Sequence, residues 1–288
     1  MYQLSPQQPQ LNTLPTMYDL PSEEEGESGL PDRFHPLQAV LLSETCRSPH
    51  YGSERLFTAT DLNLYYDPHN TRLYKRPDWF MALGISPARL QQDLRWSYVI
   101  WQELSPPFLV VELLSPGTEA EDLGQTIRHI GQPPRKWEVY EQFLKIPYYV
   151  VYDRYENRFR AFHLHQDRYQ ALQLPKSRLW LGELGLGLGI WEGSYQDISG
   201  LWLRWYDANE QWVPTEAESL TQERARAEQE RARAEQERAR AEQSLEQGLE
   251  RGKQEVALNM LQEGLAIDLV ARATGFTIEQ IQGLSAMG

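Results

Sequence analysis

Seven consecutive residues, Phe108 to Leu114, read Phe-Leu-Val-Val-Glu-Leu-Leu. A strand that is apolar on both faces belongs at the centre of a sheet covered on both sides, yet Glu112 sits inside this one. A carboxylate in such a run is costly to bury unless it is paired, hydrogen-bonded or bound to a metal. A second acid is placed in a similar way: Asp78 directly follows Pro77 and precedes the apolar stretch Trp79 to Leu83. Pro133-Pro134 then introduces a predicted helix, Arg135 to Leu144, in which Trp137, Tyr140 and Leu144 recur at helical spacing and are expected to pack on the sheet. Lys136 and Tyr140 lie four apart, so they share one helix face. Two acids on two strands, with a lysine and a tyrosine on a helix, suit metal-dependent phosphodiester cleavage.

The rest of the chain fits an α/β (α+β) domain with a mixed sheet. Leu37, Val40 and Leu41 predict an amphipathic helix over Pro36 to Cys46 with Glu44 near its end. Phe57 to Tyr66 alternates as a half-buried strand, and Asp67-Pro68-His69-Asn70 punctuates it as a turn. A returning strand is expected from Leu73 through Pro77 to Leu83, with the proline marking an edge or a strand start. Further strands are expected at Ser97 to Trp101, Pro147 to Tyr152, Phe159 to Leu164 and Tyr169 to Leu174. Leu201 to Val213 reads as a hairpin about Asp207-Ala208-Asn209. The run LGELGLGLGIWEG lacks the order of a phosphate-binding loop, so its glycines read as turns and close approaches.

Four regions emerge: a Gln- and Pro-rich N-terminus over 1–19, a domain over 20–214, a charged alanine-rich helix over 215–250 and a helical segment over 251–288. Glu23, Glu24, Glu25 and Glu27 form an acidic stretch that reads as a solvated linker. Past Pro214, the heptad ERARAEQ repeats, and residues 221–243 hold six Glu and six Arg. Pairs such as Arg224–Glu228 and Arg226–Glu230 stabilise an exposed helix by roughly 0.2–0.5 kcal/mol each. Alanine alone occupies the repeated apolar positions, so an extended solvated helix and a weak coiled coil both remain open. Leu258, Leu261, Leu265, Leu269 and Val270 form a later stripe, and Thr277 with Gln280 forms a capping box for a last helix.

The segments PDW, VVELLSPGTEAEDLG, KWEVY and IPYYVVYD resemble the "putative restriction endonuclease" domain family common in cyanobacteria, a branch of the PD-(D/E)XK nuclease superfamily. The similarity runs from about Leu20 to about Pro214. It implies a restriction-endonuclease-like fold, a mixed central sheet flanked by helices, here followed by a long C-terminal helical tail. It also implies Asp78 and Glu112 as ligands of Mg²⁺ or Mn²⁺, with Glu44 as a further candidate ligand from the first helix. In the commoner superfamily pattern the lysine lies two residues after the glutamate. Leu114 occupies that position, and the resemblance assigns the role to Lys136, with Tyr140 one turn on. Asp122 matches the family acid that follows the SP segment, 14 residues ahead of Lys136. The phrase LVARATGFTIEQIQGL is similar to helical tails of some transposase-like members, and without a basic face it reads first as structural or oligomeric.

The implied substrate is DNA. Against tight backbone binding stand 28 basic and 41 acidic residues, a formal net charge of −13. The alternative is a non-catalytic scaffold that keeps the nuclease fold and assembles as a homo-oligomer through its C-terminal helices. His163 and His165 share a strand face without an acidic partner, and Cys46 is the single cysteine, so no zinc site or disulfide framework is expected. The start MYQLSPQQPQ lacks the basic and apolar blocks of a signal peptide, and no apolar run approaches membrane-spanning length, which leads to an expectation of a cytoplasmic protein without a membrane span.

Overall fold

The computed structural model describes residues 14–16, 19, 33–114, 122–125 and 131–285. The Glu23–Glu27 acids and Ser115 to Thr118 lie outside them. The chain divides into two compact units, 1–216 and 217–288.

The first unit is built on a six-stranded sheet of order β1-β4-β6-β7-β8-β9. Its strands are β1 Leu56–Thr60, β4 Trp79–Leu83, β6 Leu109–Leu113, β7 Tyr148–Asp153, β8 Arg158–His165 and β9 Arg168–Ala171. β6 and β7 run parallel, and every other neighbouring pair is antiparallel. The sheet is therefore mixed, with the apolar β6 inside it. Period-two alternation divides this strand between two cores. Leu109, Val111 and Leu113 join one core with Trp79 and Met81, and Val110 and Leu114 join the other with Phe80 and Ala82. Each such side chain, fully buried, contributes roughly 1.5–3 kcal/mol.

One face of the large sheet is covered by helix α1, Phe34–Thr45, and a three-stranded antiparallel sheet of β10 Arg178–Leu181, β11 Leu186–Tyr195 and β12 Ile198–Tyr206. α1 is fastened there by side chains that satisfy buried backbone groups. Gln38 donates to Leu203 O at 2.8 Å and accepts from Leu203 N–H at 2.9 Å. The indole of Trp205 donates to Leu42 O at 3.0 Å, and that of Trp79 to Ser43 Oγ at 2.8 Å. Within the glycine run, a Cβ on Gly187 would fall inside the Tyr206 ring, which is a close approach only glycine permits.

The opposite face is covered by helix α2 and by a small sheet of order β3-β2-β5, formed by β2 Leu64–Tyr65, β3 Tyr74–Lys75 and β5 Tyr98–Val99. α2 starts as one α-turn, Lys136–Glu138, and continues as a π-turn, Val139–Phe143, which Leu144 N–H closes on Val139 O at 2.9 Å. The expected regular helix is thus wider-wound, a feature frequent at functional positions. Trp137 packs edge-on against Tyr149, Phe162 and Tyr169, and Tyr140 and Leu144 are buried on the sheet.

Three expected strands are interrupted, and one of them, Leu73 to Leu83, divides into β3 of the small sheet and β4 of the large one. Phe57 to Tyr66 breaks at Asp61, whose φ is +51°. Arg76 holds that residue, with Nε 2.7 Å from Oδ1 and Nη2 2.9 Å from Oδ2. A paired Asp tolerates the left-handed region better than most residues, and the turn lets the chain leave the large sheet for the small one. Ser97 to Trp101 is extended only at Tyr98–Val99, and Ile100–Glu103 forms a helical turn.

The second unit contains most of α3, Glu216–Gln262, then α4 Ile267–Thr274 and α5 Ile278–Ser285. Ala257, Val270 and Ile281 form its small core. Gly275, at φ +76°, ends α4 in the left-handed cap that glycine favours. The capping box is present: Thr277 N–H donates to Gln280 Oε1 at 2.8 Å and Gln280 N–H to Thr277 Oγ1 at 3.2 Å. Leu269, expected on the buried stripe, is 46% exposed. Among the described residues no helix is long and apolar enough to cross a membrane.

Candidate active site

Antiparallel register brings the two strand acids together. Trp79 pairs with Val111, so Asp78, one residue earlier, stands beside Glu112, one residue later. Both point to the face of Phe80 and Val110, since side chains alternate. Asp78 Oδ2 accepts the N–H of Leu113 at 2.6 Å, and the N–H of Asp78 reaches toward Glu112 Oε2 at 3.4 Å. Each carboxylate thus leans on the other's strand.

α2 closes the cluster from above the sheet. Lys136 Nζ lies 2.9 Å from Glu112 Oε2 and 3.4 Å from Asp122 Oδ1. The Tyr140 hydroxyl donates to Glu112 Oε1 at 2.8 Å. The i, i+4 spacing therefore delivers an ammonium and a phenol to the two oxygens of one carboxylate. Asp122 arrives on the short turn ahead of α2: Tyr149 OH donates to its backbone carbonyl at 2.9 Å. Two residues on, Gly124 has φ +67°, and a Cβ there would strike the Trp137 ring at 2.7 Å. A glycine is needed at that contact on both counts.

Glu112 is fully buried and Asp122 nearly so, and the Lys136 side chain is the most open of the three at 25%. Burial pushes the Glu112 carboxyl up to about 8; Lys136 pulls it down, and Asp78 and Asp122 push it further up. Burial also raises Asp78, with Lys136 as the main opposing influence. For Lys136, burial favours the neutral amine, but Glu112, Asp122 and Asp78 together outweigh it and hold the ammonium well above its ordinary range. Burial, then Glu112, pushes Tyr140 well up, so the phenol stays a donor.

A histidine that the sequence did not single out completes the surroundings. His35, buried in the first turn of α1, has Nε2 2.9 Å from Leu113 O. The Leu113 backbone is thus held twice, its N–H by Asp78 and its C=O by His35. His35 also acts to lower the carboxyl of Asp78, against the larger effect of burial. Its only sequence signal is a histidine heading an apolar helix, which a satisfied core histidine shares. Glu44 does not join the cluster. It lies nine residues beyond His35, about 13 Å along the helix, is exposed, and accepts the Tyr195 hydroxyl at 3.2 Å.

Carboxylate oxygens are the donors that Mg²⁺ and Mn²⁺ prefer, so the residues fit such an ion in kind. Among the described residues, however, no three Asp, Glu, His or Cys side chains stand ready to ligate one. The Lys136 ammonium occupies the space between Glu112 and Asp122, so an ion would have to compete with it.

Comparisons with known proteins bear on the same region. Residues 10–198 match the family described as Uma2, "Putative restriction endonuclease", a span that contains Asp78, Glu112, Asp122, Lys136 and Tyr140. A solved structure titled as a putative nuclease from Anabaena variabilis is similar at 14% identity and a TM-score of 0.37, covering 59% of this chain and 90% of that one. No curated protein matches. With about two thirds of its length inside that match, the chain belongs to the Uma2 family of putative restriction endonucleases.

Proposed function

We propose that the first unit is a metal-dependent endonuclease that hydrolyses phosphodiester bonds in DNA. The observation that carries this reading is the buried cluster itself: Lys136 Nζ at 2.9 Å from Glu112 and 3.4 Å from Asp122, with Asp78 across the strand register. A structural ion pair does not require three carboxylates around one ammonium. Isolated charges at such depth cost several kcal/mol each, and perturbed acids gathered in this way mark functional sites.

Asp78 and Glu112 would hold Mg²⁺ or Mn²⁺. When bound, the ion would polarise a phosphoryl oxygen and lower the pKa of a water molecule. Tyr140 fixes Glu112 through Oε1 and leaves Oε2 directed at the cation position. Lys136, kept charged by its neighbours, would orient the attacking water and stabilise the charge that builds on phosphorus. The Leu113 N–H, on a backbone that His35 also holds, keeps Asp78 in place. The proposal places the enzyme in the cytoplasm, consistent with the free thiol of Cys46.

A plasmid-nicking assay with Mg²⁺ and with Mn²⁺ tests the assignment. The wild type nicks, and Asp78→Asn, Glu112→Gln and Lys136→Met do not, while Glu44→Gln nicks at the wild-type rate. Equal nicking by wild type and Glu112→Gln would assign the activity to a contaminant and end the proposal.

The net charge of −13 supports a second reading. In it the domain keeps the fold without cleaving, and acts as a scaffold that assembles through residues 221–288. Wild-type protein that stays inert at every metal concentration would favour this reading.

A further inference from the structure

Helix α3 holds an apolar face that no other described residue covers. Along α3, Leu220, Leu245, Leu249 and Val256 are 50%, 66%, 60% and 51% exposed. At 3.6 residues per turn they fall in one stripe about 100° wide. Ala227, Ala234 and Ala241 continue that stripe through the charged repeat. α4 and α5 pack on a different face, the one carrying Ala257 and Leu261, and so leave the stripe uncovered. An open groove of about 940 Å³ runs beside its C-terminal part, lined by Leu245, Leu249 and Val256 and by Ala273 and Thr274 of α4.

Two glycines in the stripe carry separate information. Gly248 and Gly252 lie inside a continuous helix, where glycine weakens the helix relative to alanine. A Cβ on either would meet nothing within 4 Å, so no contact among the described residues requires them. Small residues at such positions allow another helix to approach closely.

The flanking charges identify the partner and its direction. Glu223, Glu230 and Glu237 run along one side of the alanine line, and Arg224, Arg231 and Arg238 along the other. When two identical helices face each other in parallel, each left flank meets the partner's right flank, and Glu opposes Arg. In the antiparallel arrangement like flanks meet, and Glu opposes Glu. Complementarity of this kind sets orientation in paired helices.

We propose that the stripe on α3 is the interface of a parallel, in-register homodimer, with α3 of a second copy as its occupant. Both Glu216 ends then lie at the same end of the pair, and two copies of the family domain are tethered there. The proposal goes beyond assembly through the tail as such, because it fixes the face, the direction and the register. It holds whether or not the domain cleaves DNA.

Sedimentation velocity on the full chain at micromolar concentration is the test, with oxidative cross-linking of Ala234→Cys beside it. Cys46 is buried, so the introduced thiol is the reactive one. The expected results are a mass twice the 33.5 kDa of one chain, at least a tenfold weaker dimer in Leu245→Asp/Leu249→Asp, and covalent dimer formation by Ala234→Cys. Both substituted positions are exposed, and circular dichroism checks that the helix persists. A monomer throughout the concentration range, or a dimer indifferent to the double substitution, would overturn the interface. A dimer that fails to cross-link at position 234 would overturn the parallel register. A complex formed only with another protein would also count against it.

Discussion

Lys136 and Arg272 each pair with acids at similar distances, and the two pairings have opposite meanings. Lys136 lies 2.9 Å from Glu112, which is wholly buried. Arg272 lies 3.2 Å from Asp268 in an i, i+4 helix pair, with side chains 74% and 66% exposed. Water solvates the second pair in any conformation, so the contact is worth a few tenths of a kcal/mol at most. In the first pair Glu112 has lost its water and Lys136 keeps only part of its own, so mutual contacts hold these charges in the domain. Charge in the tail is a surface property; charge in the domain is a cost that chemistry at the site would explain.

Removing one buried partner should separate the two most sharply. Lys136→Met leaves Glu112 and Asp122 without their cation and should destabilise the domain by about 3–5 kcal/mol at pH 8. Below about pH 8 the Glu112 carboxyl takes up its proton, so part of that loss should return by about pH 5. Urea melts at both pH values check this, and an equal loss at both would mean that Lys136 acts through packing alone.

Next in size is the pH profile of the metal-free wild type. Glu112 titrates near 8 in the folded chain and near 4.3 when unfolded. The folded state therefore binds more protons between these values, and stability falls as pH rises through that window. Asp78, also raised, acts in the same sense. The Lys136 contribution is fully present below about pH 10 and does not oppose the trend. The melting temperature should drop on the order of 10 °C from about pH 5 to about pH 8.5, and Glu112→Gln should flatten the curve. A profile that rises with pH would contradict the buried-acid account.

Tyr140→Phe removes one donor to Glu112 Oε1. Loss of a neighbour that orients a metal ligand typically costs 10–100-fold, so nicking should slow by about that factor while the fold persists. In the tail, Arg272→Glu should shift the melting free energy by about 0.5 kcal/mol or less and leave nicking unchanged. A large effect there would erase the distinction between the two regions.

Much of this was readable from residues. An acid inside Phe108–Leu114 is so costly that Glu112 identified itself, and the i, i+4 spacing of Lys136 and Tyr140 predicted a shared face that both use on Glu112. The capping box at Thr277 was local, and local hydrogen bonds are legible. What escaped depends on contacts distant in sequence. Asp61 breaks a well-alternating strand because Arg76 holds it in a left-handed turn. His35 gains its place from a carbonyl 78 residues away. Helical spacing could not show which end of α1 meets the sheet acids, and the end that does carries His35 while Glu44 faces Tyr195.

The most direct measurement is calorimetric titration of Mn²⁺ into the folded wild type and into Glu112→Gln, from about pH 6 to about pH 9. Ligating carboxylates must be deprotonated, so wild-type affinity should rise through the Glu112 titration near 8, with proton release, and Glu112→Gln should bind no ion. Absence of binding at millimolar Mn²⁺, or an affinity the substitution leaves unchanged, would contradict the assignment of Asp78, Glu112 and Lys136 as a metal-dependent nuclease site.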